Sequence, residues 1–186
     1  VTESYRKVIN LMKLENIINF ENVYVNYDID SSTLRNINLK IKNNENWAIL
    51  GANGSGKSTL IKLFSNDLYP TTKYPFKKEI FGEENWNIFE LKKNLGIITN
   101  DLHNTFGSQG KYITAYEVIL SGFYSSIQIF NHQDFTKEQH QKVLEVLEFL
   151  EILELKDKKV HQMSTGQLRR CIIGRALIHD PKAFIL

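Results

Sequence analysis

Hydrophobic and polar residues alternate along the first part of the chain. Within 37–41, apolar side chains alternate with Asn38 and Lys40, and this period of two is typical of a strand with one buried face. Residues 18–27 carry a similar mixture of Val, Tyr and Phe, which favour strands. We therefore expect a small antiparallel sheet in this part of the chain.

The alternation then gives way to longer apolar runs. The run 47–50 precedes a glycine-rich turn, and 57–65 has helical spacing of its apolar residues, so we expect a buried strand, a loop and a helix. Prolines, paired threonines and many lysines in 68–86 predict turns. The run 95–99 predicts the next buried strand.

The second half of the chain has mainly helical signals. Residues 100–111 show no period and predict a loop. Capping boxes at 114–117 and 136–139 predict the starts of two helices, which we interpret as a helical insert. A further helix is expected over 167–179, where Asp-Pro follows, and the apolar run 183–186 predicts another buried strand.

Composition excludes several classes of function. The 186 residues are 42% hydrophobic, which is enough to bury a core and argues against disorder. Lys and Arg number 23 against 21 Asp and Glu, and they are scattered, so no nucleic-acid footprint stands out. The single cysteine, Cys171, can form no internal disulfide, and no apolar run is long enough for a membrane helix. We expect a cytoplasmic protein that reaches a membrane through partners.

Residues 51–58 read GANGSGKS and match the phosphate-loop pattern G-x-x-x-x-G-K-[ST] between a predicted strand and a predicted helix. Glycines allow successive N–H groups to point at one phosphate, while Lys57 reaches the β- and γ-phosphates and the Ser58 hydroxyl binds Mg²⁺. ATP and Mg²⁺ are therefore the expected ligands, although the loop alone leaves kinases, GTPases, motor ATPases and transport ATPases open. The candidate ATP-binding residues here are Gly51, Asn53, Gly54, Ser55, Gly56, Lys57, Ser58 and Thr59.

Residues 163–170 read MSTGQLRR and are followed by GRAL at 174–177 and by Asp180-Pro181. This stretch resembles the signature of the ATP-binding cassette (ABC) family, usually LSGGQ, with Met163 and Thr165 replacing its Leu and first Gly. The same residues also form a capping box that opens a helix, and both interpretations are physically compatible because a helix N-terminus binds anions.

The resemblance covers 18–186 and implies an α/β fold of the P-loop NTPase (ABC) type. It implies an N-terminal antiparallel β subdomain and a helical insert at about 102–165 within a partial cassette over 12–186. It also implies a second cassette facing this one head to tail. The residues implied to serve the partner cassette's ATP are Ser164, Thr165, Gly166 and Gln167.

Two further positions follow from the resemblance. Tyr27 lies where these cassettes place the aromatic ring that stacks on adenine. Asn100 replaces the Q-loop glutamine, whose oxygen would bind Mg²⁺ or its water, and its side chain is one methylene shorter. The run 100–103, NDLH, is similar to a subgroup of the family that serves molybdenum transport.

Three functional classes remain open. The first is the ATPase subunit of a transporter, at the inner face of the cell membrane through membrane-spanning partners. The second is a soluble cassette with a regulatory or nucleic-acid-related role, and the third is a non-catalytic remnant. We interpret 1–11 as an extension that is not native, and the C-terminal part as missing, because 183–186 ends where the family has its Asp-Glu pair. Without a catalytic base, we expect this chain to bind nucleotide and turn over little ATP.

Overall fold

A computed structural model describes residues 15–28 and 31–186. They divide into two compact units, one up to Ile88 and the other Phe89–Leu186. The predicted extension 1–11 lies outside the described residues. The predicted helical insert, 102–165, falls within the second unit, and its bounds stay a prediction.

The first unit contains a three-stranded antiparallel sheet, as predicted. Strand β1 (Asn16–Asp28) lies between β2 (Ser31–Lys42) and β3 (Lys77–Ile80). The buried positions of β1 change from Ile18 and Phe20 to Val23 and Val25, because a bulge with a φ of 53° at Asn22 interrupts the alternation. The sheet thus keeps one apolar face in spite of the change in sequence register.

The strand β3 corrects the expectation of turns throughout 68–86. Residues Lys77–Ile80 pair antiparallel with β1, and alternate side chains, those of Lys78 and Ile80, are buried. The sequence hides this strand because one of its buried positions is a lysine. Pairing with β1 therefore overrides the local propensity for turns.

The predicted helix after the phosphate loop is confirmed as α1 (Lys57–Phe64). It packs on the sheet of the first unit, with the rings of Phe64 and Phe20 5.6 Å apart and Leu63 fully buried. Burial of this apolar side fixes the start of α1, and with it the end of the loop, against the sheet.

The predicted strand over 47–50 is wrong. This segment has no regular structure, and Trp47, Ile49 and Leu50 are exposed, with Leu50 92% exposed. An apolar run becomes a buried strand only when neighbouring strands take its hydrogen bonds and cover its faces. Among residues 15–28 and 31–186, no strand pairs with it.

The second unit brings together two parallel strands and several helices. Strands β4 (Leu95–Ile97) and β5 (Ala183–Ile185) pair in parallel, which confirms the two predicted strands, and Gly96 stands opposite Phe184. The expected burial of the second strand is wrong, because Phe184 is exposed. A Cβ on Gly96 would lie 2.5 Å from the Phe184 ring, so a side chain here would have to displace that ring. The helices are α2 (Ile88–Asn94), α3 (Asn100–Ser108), α4 (Ala115–Leu120), α5 (Lys137–Phe149) and α6 (Thr165–Leu177).

Helix α3 occupies most of the region predicted as a loop, so that prediction is wrong. The Thr99 side chain caps the helix by accepting a hydrogen bond from the Leu102 N–H at 3.2 Å, and Phe106 is fully buried. Gly107 lowers the helix propensity of this stretch and obscured the pattern. Packing of Phe106 and a well-formed cap outweigh that cost.

The predicted capping boxes at Thr114 and Thr136 are both present, and they open α4 and α5. These helices share an apolar core with α6, in which Cys171 is fully buried and burial raises the pKa of its thiol to about 11. A buried thiol with so high a pKa forms little reactive thiolate, so Cys171 is a core residue. Within the described ranges, no helix combines the length and apolar character that crossing a membrane requires.

The buried lysine of β3 has an unusual environment. The Lys78 ammonium donates a hydrogen bond to the Asn66 side-chain oxygen and lies over the ring of Tyr69, 5.2 Å from its centre. Burial lowers the pKa of Lys78 to about 8 from 10.5, because the charged form loses its hydration. Between these two values the unfolded chain holds more protons than the folded one.

We therefore predict that the free energy of unfolding rises as the pH increases from 8 to 9, and that Lys78→Met removes this rise. Above pH 9 the raised pKa of Cys171 acts in the opposite direction and offsets the contribution of Lys78. Urea unfolding at a series of pH values measures it. Lys77→Met is the matched control, because Lys77 is paired with Glu79 and has a raised pKa, so removing it should leave the rise in place. An unchanged pH profile in Lys78→Met would contradict the prediction.

Candidate nucleotide-binding site

The phosphate loop is a tight turn whose shape depends on glycine. The Ser55 N–H donates to the Ala52 carbonyl at 3.2 Å, and Gly54 and Gly56 have φ values of 80° and 90°. A Cβ on Gly56 would also lie 2.8 Å from the Leu34 side chain. Only glycine satisfies both demands, so the backbone comes close to the sheet before it turns into α1.

The N-terminus of α1 is open to an anion. Its N-cap is Gly56, no side chain caps its first N–H groups, and its first turn carries no acidic residue. These N–H groups and the helix dipole give the site partial positive charge. The arrangement suits a phosphate group.

Lys57 stands at the first position of α1 and folds back over the loop. Its ammonium donates hydrogen bonds of 2.8 Å to the carbonyl oxygens of Gly51 and Ala52. The Ser58 hydroxyl is exposed, whereas Thr59 is buried, so a phosphate contact at Thr59 would come from its backbone N–H. The loop, the lysine and the exposed hydroxyl thus lie together in the first unit.

The residues of the predicted signature lie at the N-terminus of α6 in the second unit. Ser164 is the N-cap: its hydroxyl accepts from the Gln167 N–H at 3.2 Å, while the Gln167 side-chain oxygen accepts from the Ser164 N–H at 3.0 Å. Thr165 and Gly166 are exposed, and nothing lies within 4 Å of a Cβ built on Gly166. The predicted capping box is present, and the first turn of α6 carries no acidic residue.

Sequence analysis missed Lys158 as a neighbour of the signature. Its ammonium donates to the Gln167 side-chain oxygen at 3.0 Å, so this oxygen accepts two hydrogen bonds and the amide orientation is fixed. The contact adds a positive charge next to the helix N-terminus. No spacing rule links a lysine six positions upstream to the capping serine, so only the structure could reveal it.

The two positions taken from the family resemblance have different outcomes. Tyr27 lies in β1, but its side chain is outside the described residues, and adenine stacking stays a prediction. Asn100 is exposed as the first residue of α3, directly beyond the carboxyl end of β4. In α/β sheets, ligands bind at the carboxyl ends of parallel strands. Asn100 therefore follows the strand end where such sites occur.

The predicted Mg²⁺ ligands, Ser58 and Asn100, both carry side-chain oxygen atoms, which Mg²⁺ prefers as ligands. The exposed Ser58 hydroxyl is a suitable ligand for Mg²⁺, which keeps several waters and accepts one or two protein oxygens beside phosphate. In the described parts of the chain, no three His, Cys, Asp or Glu side chains form a possible metal cluster. The site thus fits Mg²⁺ brought with phosphate oxygens better than a metal held by the protein alone.

Comparison with known proteins gives consistent matches. A model of the ABC transporter family matches residues 34–186. The ABC transporter ATP-binding protein ModF of Escherichia coli is 34% identical over 170 residues, which is 89% of this chain and 33% of ModF. The energy-coupling factor transporter ATP-binding protein EcfA3 of Clostridium perfringens is 31% identical over 171 residues, 91% of this chain and 56% of EcfA3. The chain therefore spans between a third and a little over half of these relatives.

Solved structures agree on the fold. Among them is cbiO1 from Clostridium perfringens, part of the ABC transporter complex cbiONQ, with a TM-score of 0.70 and 28% identity, covering 92% of this chain and 65% of that one. A nucleotide-free ATP-binding cassette from an ABC transporter has a TM-score of 0.75 and 25% identity, covering 91% of this chain and 67% of that one. These matches confirm the predicted α/β fold with its antiparallel β subdomain.

The Ser164 cap leads to a prediction about stability. Ser164→Ala removes the acceptor for the Gln167 N–H and should lower the free energy of unfolding by about 1 kcal/mol. Ser164→Asp is the matched control, because aspartate caps a helix as well as serine does and should retain the stability. Urea unfolding compares the three proteins, and equal midpoints for the wild type and Ser164→Ala would contradict the assignment of the cap.

Proposed function

Because this chain belongs to the ABC transporter family, we propose that it is the ATP-binding part of an ABC transporter. The uncapped N-terminus of α1 carries the proposal, since it presents backbone N–H groups with no acidic side chain in the first turn. The relatives' names support a transporter rather than a soluble regulatory cassette or a non-catalytic remnant.

The chain's own residues account for phosphate binding. The N–H groups of 54–59 surround the phosphates, and Lys57 exchanges its contacts with the Gly51 and Ala52 carbonyls for phosphate oxygens. This exchange replaces two neutral acceptors with charged ones, so it favours the bound state. Tyr27 completes the site by stacking on adenine.

Mg²⁺ fits at the same place. The Ser58 hydroxyl would hold it beside the phosphates. The bound ion would neutralise part of the negative charge on the phosphates. The role that the family resemblance implies for Asn100, an amide oxygen for Mg²⁺ or its water, stays a prediction.

The signature residues serve a second cassette in this proposal. The N-terminus of α6 is exposed at Thr165 and Gly166, carries no acidic residue in its first turn and lies next to the Lys158 charge. It therefore offers a second anion site that the phosphate loop does not use. Two chains arranged head to tail would each place this site on the other's ATP, and membrane-spanning subunits would hold the pair at the cytoplasmic face of the membrane.

Equilibrium dialysis with Mg-ATP tests nucleotide binding. Lys57→Met should weaken binding by about tenfold to a hundredfold, because it removes one charge-assisted contact to phosphate. Lys62→Met is the matched control, since Lys62 lies exposed in the last turn of the same helix. If the chain retains no ATP, or if both variants bind like the wild type, the proposal fails.

Sedimentation with and without ATP tests the head-to-tail pair. Gly166→Asp should abolish ATP-dependent pairing, because it places a carboxylate where the partner's phosphate would bind. Gly166→Ala is the control, since a Cβ at this position has open space around it and adds no charge. Pairing of Gly166→Asp at wild-type strength would contradict the role of the signature.

A further inference from the structure

The apex of the phosphate loop is formed by Asn53 and Gly54, and both are exposed. The turn beneath them is closed by the hydrogen bond from the Ser55 N–H to the Ala52 carbonyl. Nothing lies within 4 Å of a Cβ built on Gly54, and in the described ranges the Gly54 N–H donates no hydrogen bond. Apart from the hydrogen bond that closes the turn, neither packing nor a hydrogen bond from the described part of the chain therefore restrains the peptide unit between Asn53 and Gly54.

Asparagine followed by glycine has an intrinsic chemistry that this environment permits. The Gly54 backbone nitrogen, losing its proton to solvent, bonds to the Asn53 side-chain carbon, the bond from that carbon to Nδ2 breaks, and ammonia leaves. Water then opens the five-membered succinimide ring at either carbonyl and yields aspartate or isoaspartate. The reaction consumes only water and is one reason why asparagine is a thermolabile residue.

Asn44 shows why Asn53 stands out. Asn44 is also exposed in a turn and has a φ of 67°. The next residue is Glu45, whose side chain hinders ring closure and whose N–H donates to the Lys42 carbonyl at 3.3 Å. The attacking backbone nitrogen is thus hydrogen-bonded in Glu45, after Asn44, whereas that of Gly54, after Asn53, donates no hydrogen bond within the described residues. Asn53 is also the only asparagine of the sequence that precedes a glycine.

We propose that Asn53 is a site of spontaneous modification, at which conversion to aspartate or isoaspartate disables the empty phosphate loop. The product places a carboxylate at the apex of the loop that leads into α1, in a stretch where neither the loop nor the first turn of α1 carries an acidic residue. Isoaspartate also lengthens the main chain by one carbon between Ala52 and Gly54. Both changes oppose phosphate binding, the first by charge repulsion and the second by distorting the turn.

A bound nucleotide slows the conversion. The proposed function, on which this step rests, places phosphate oxygens against the N–H groups of the loop, and a hydrogen-bonded Gly54 nitrogen is a poorer nucleophile in a less mobile turn. The modification therefore inactivates mainly those chains that have remained without ATP.

The experiment follows each asparagine during incubation in warm, mildly alkaline buffer with and without Mg-ATP. Trypsin cuts after Lys42 and Lys57, so one peptide carries Asn53 together with Asn44 as an internal control. Tandem mass spectrometry locates each converted residue, and isoaspartyl methyltransferase labelling identifies isoaspartate. Anion exchange separates the converted fraction, and equilibrium dialysis measures its ATP retention beside that of Asn53→Asp and of fresh protein.

Without nucleotide, we expect Asn53 to convert several-fold faster than Asn44. With Mg-ATP, the conversion of Asn53 should be slower than without it. The converted fraction and Asn53→Asp should each retain several-fold less ATP than fresh protein. Equal rates at Asn53 and Asn44 would overturn the modification site. Full ATP retention by the converted fraction would overturn its effect on the loop. Fresh protein that retains no ATP would contradict the proposed function and the protection by nucleotide. The comparison of Asn53 with Asn44 is made without nucleotide, so it tests the modification site independently of the proposed function.

Discussion

A helix begins with backbone N–H groups that have no partner within the helix. In the described residues, side chains of Thr99, Thr114, Thr136 and Ser164 cap α3, α4, α5 and α6. Helix α1 begins instead at Gly56, which has no side chain to offer. The first N–H groups of α1 can donate hydrogen bonds to a bound anion or to water. The proposed nucleotide site depends on these groups being open to an anion.

Contacts on both sides of the loop hold this arrangement in place. Packing of Phe64 on Phe20 holds α1 against the sheet, and Leu34 leaves room only for glycine at the start of the helix. The Lys57 ammonium is meanwhile satisfied by two loop carbonyls. The two ends of the loop are thus fixed by packing and hydrogen bonds, while, among the contacts of the described ranges, its apex at Asn53 and Gly54 is held only by the hydrogen bond that closes the turn.

Local chemistry in the sequence was the most reliable guide to the structure. Capping boxes at Thr114 and Thr136 marked helix starts that the structure confirms, because each box satisfies N–H groups within four residues and needs no distant partner. Elements that depend on distant partners were harder to predict. The run 47–50 has the composition of a buried strand but lies unpaired, whereas 77–80 looks like a turn and pairs with β1. The helix at 100–108 was missed because its stability comes from the burial of Phe106.

In the candidate site, too, local features were predicted from the sequence and contacts with more distant residues were not. The pattern at 51–58 is local, and the structure places those residues together, as it does Ser164 and Gln167. Lys158 lies in the segment before α6 and contacts Gln167 in the first turn of this helix. The spacing of the two residues in the sequence does not indicate this contact. Sequence patterns therefore identified the candidate anion sites, and the side chains next to them became visible only in the structure.

Gly96 leaves room for the Phe184 ring where β4 and β5 pair. Hydrogen bonds between parallel strands repeat every two residues, so by themselves they accept several alignments almost equally well. The Phe184 ring fits opposite Gly96, whereas a shift of two residues would set it against the larger side chain of Asn94 or Ile98. The fit of this ring therefore favours the observed alignment. A larger residue at position 96 would displace the ring and act against this alignment, three residues before α3 begins.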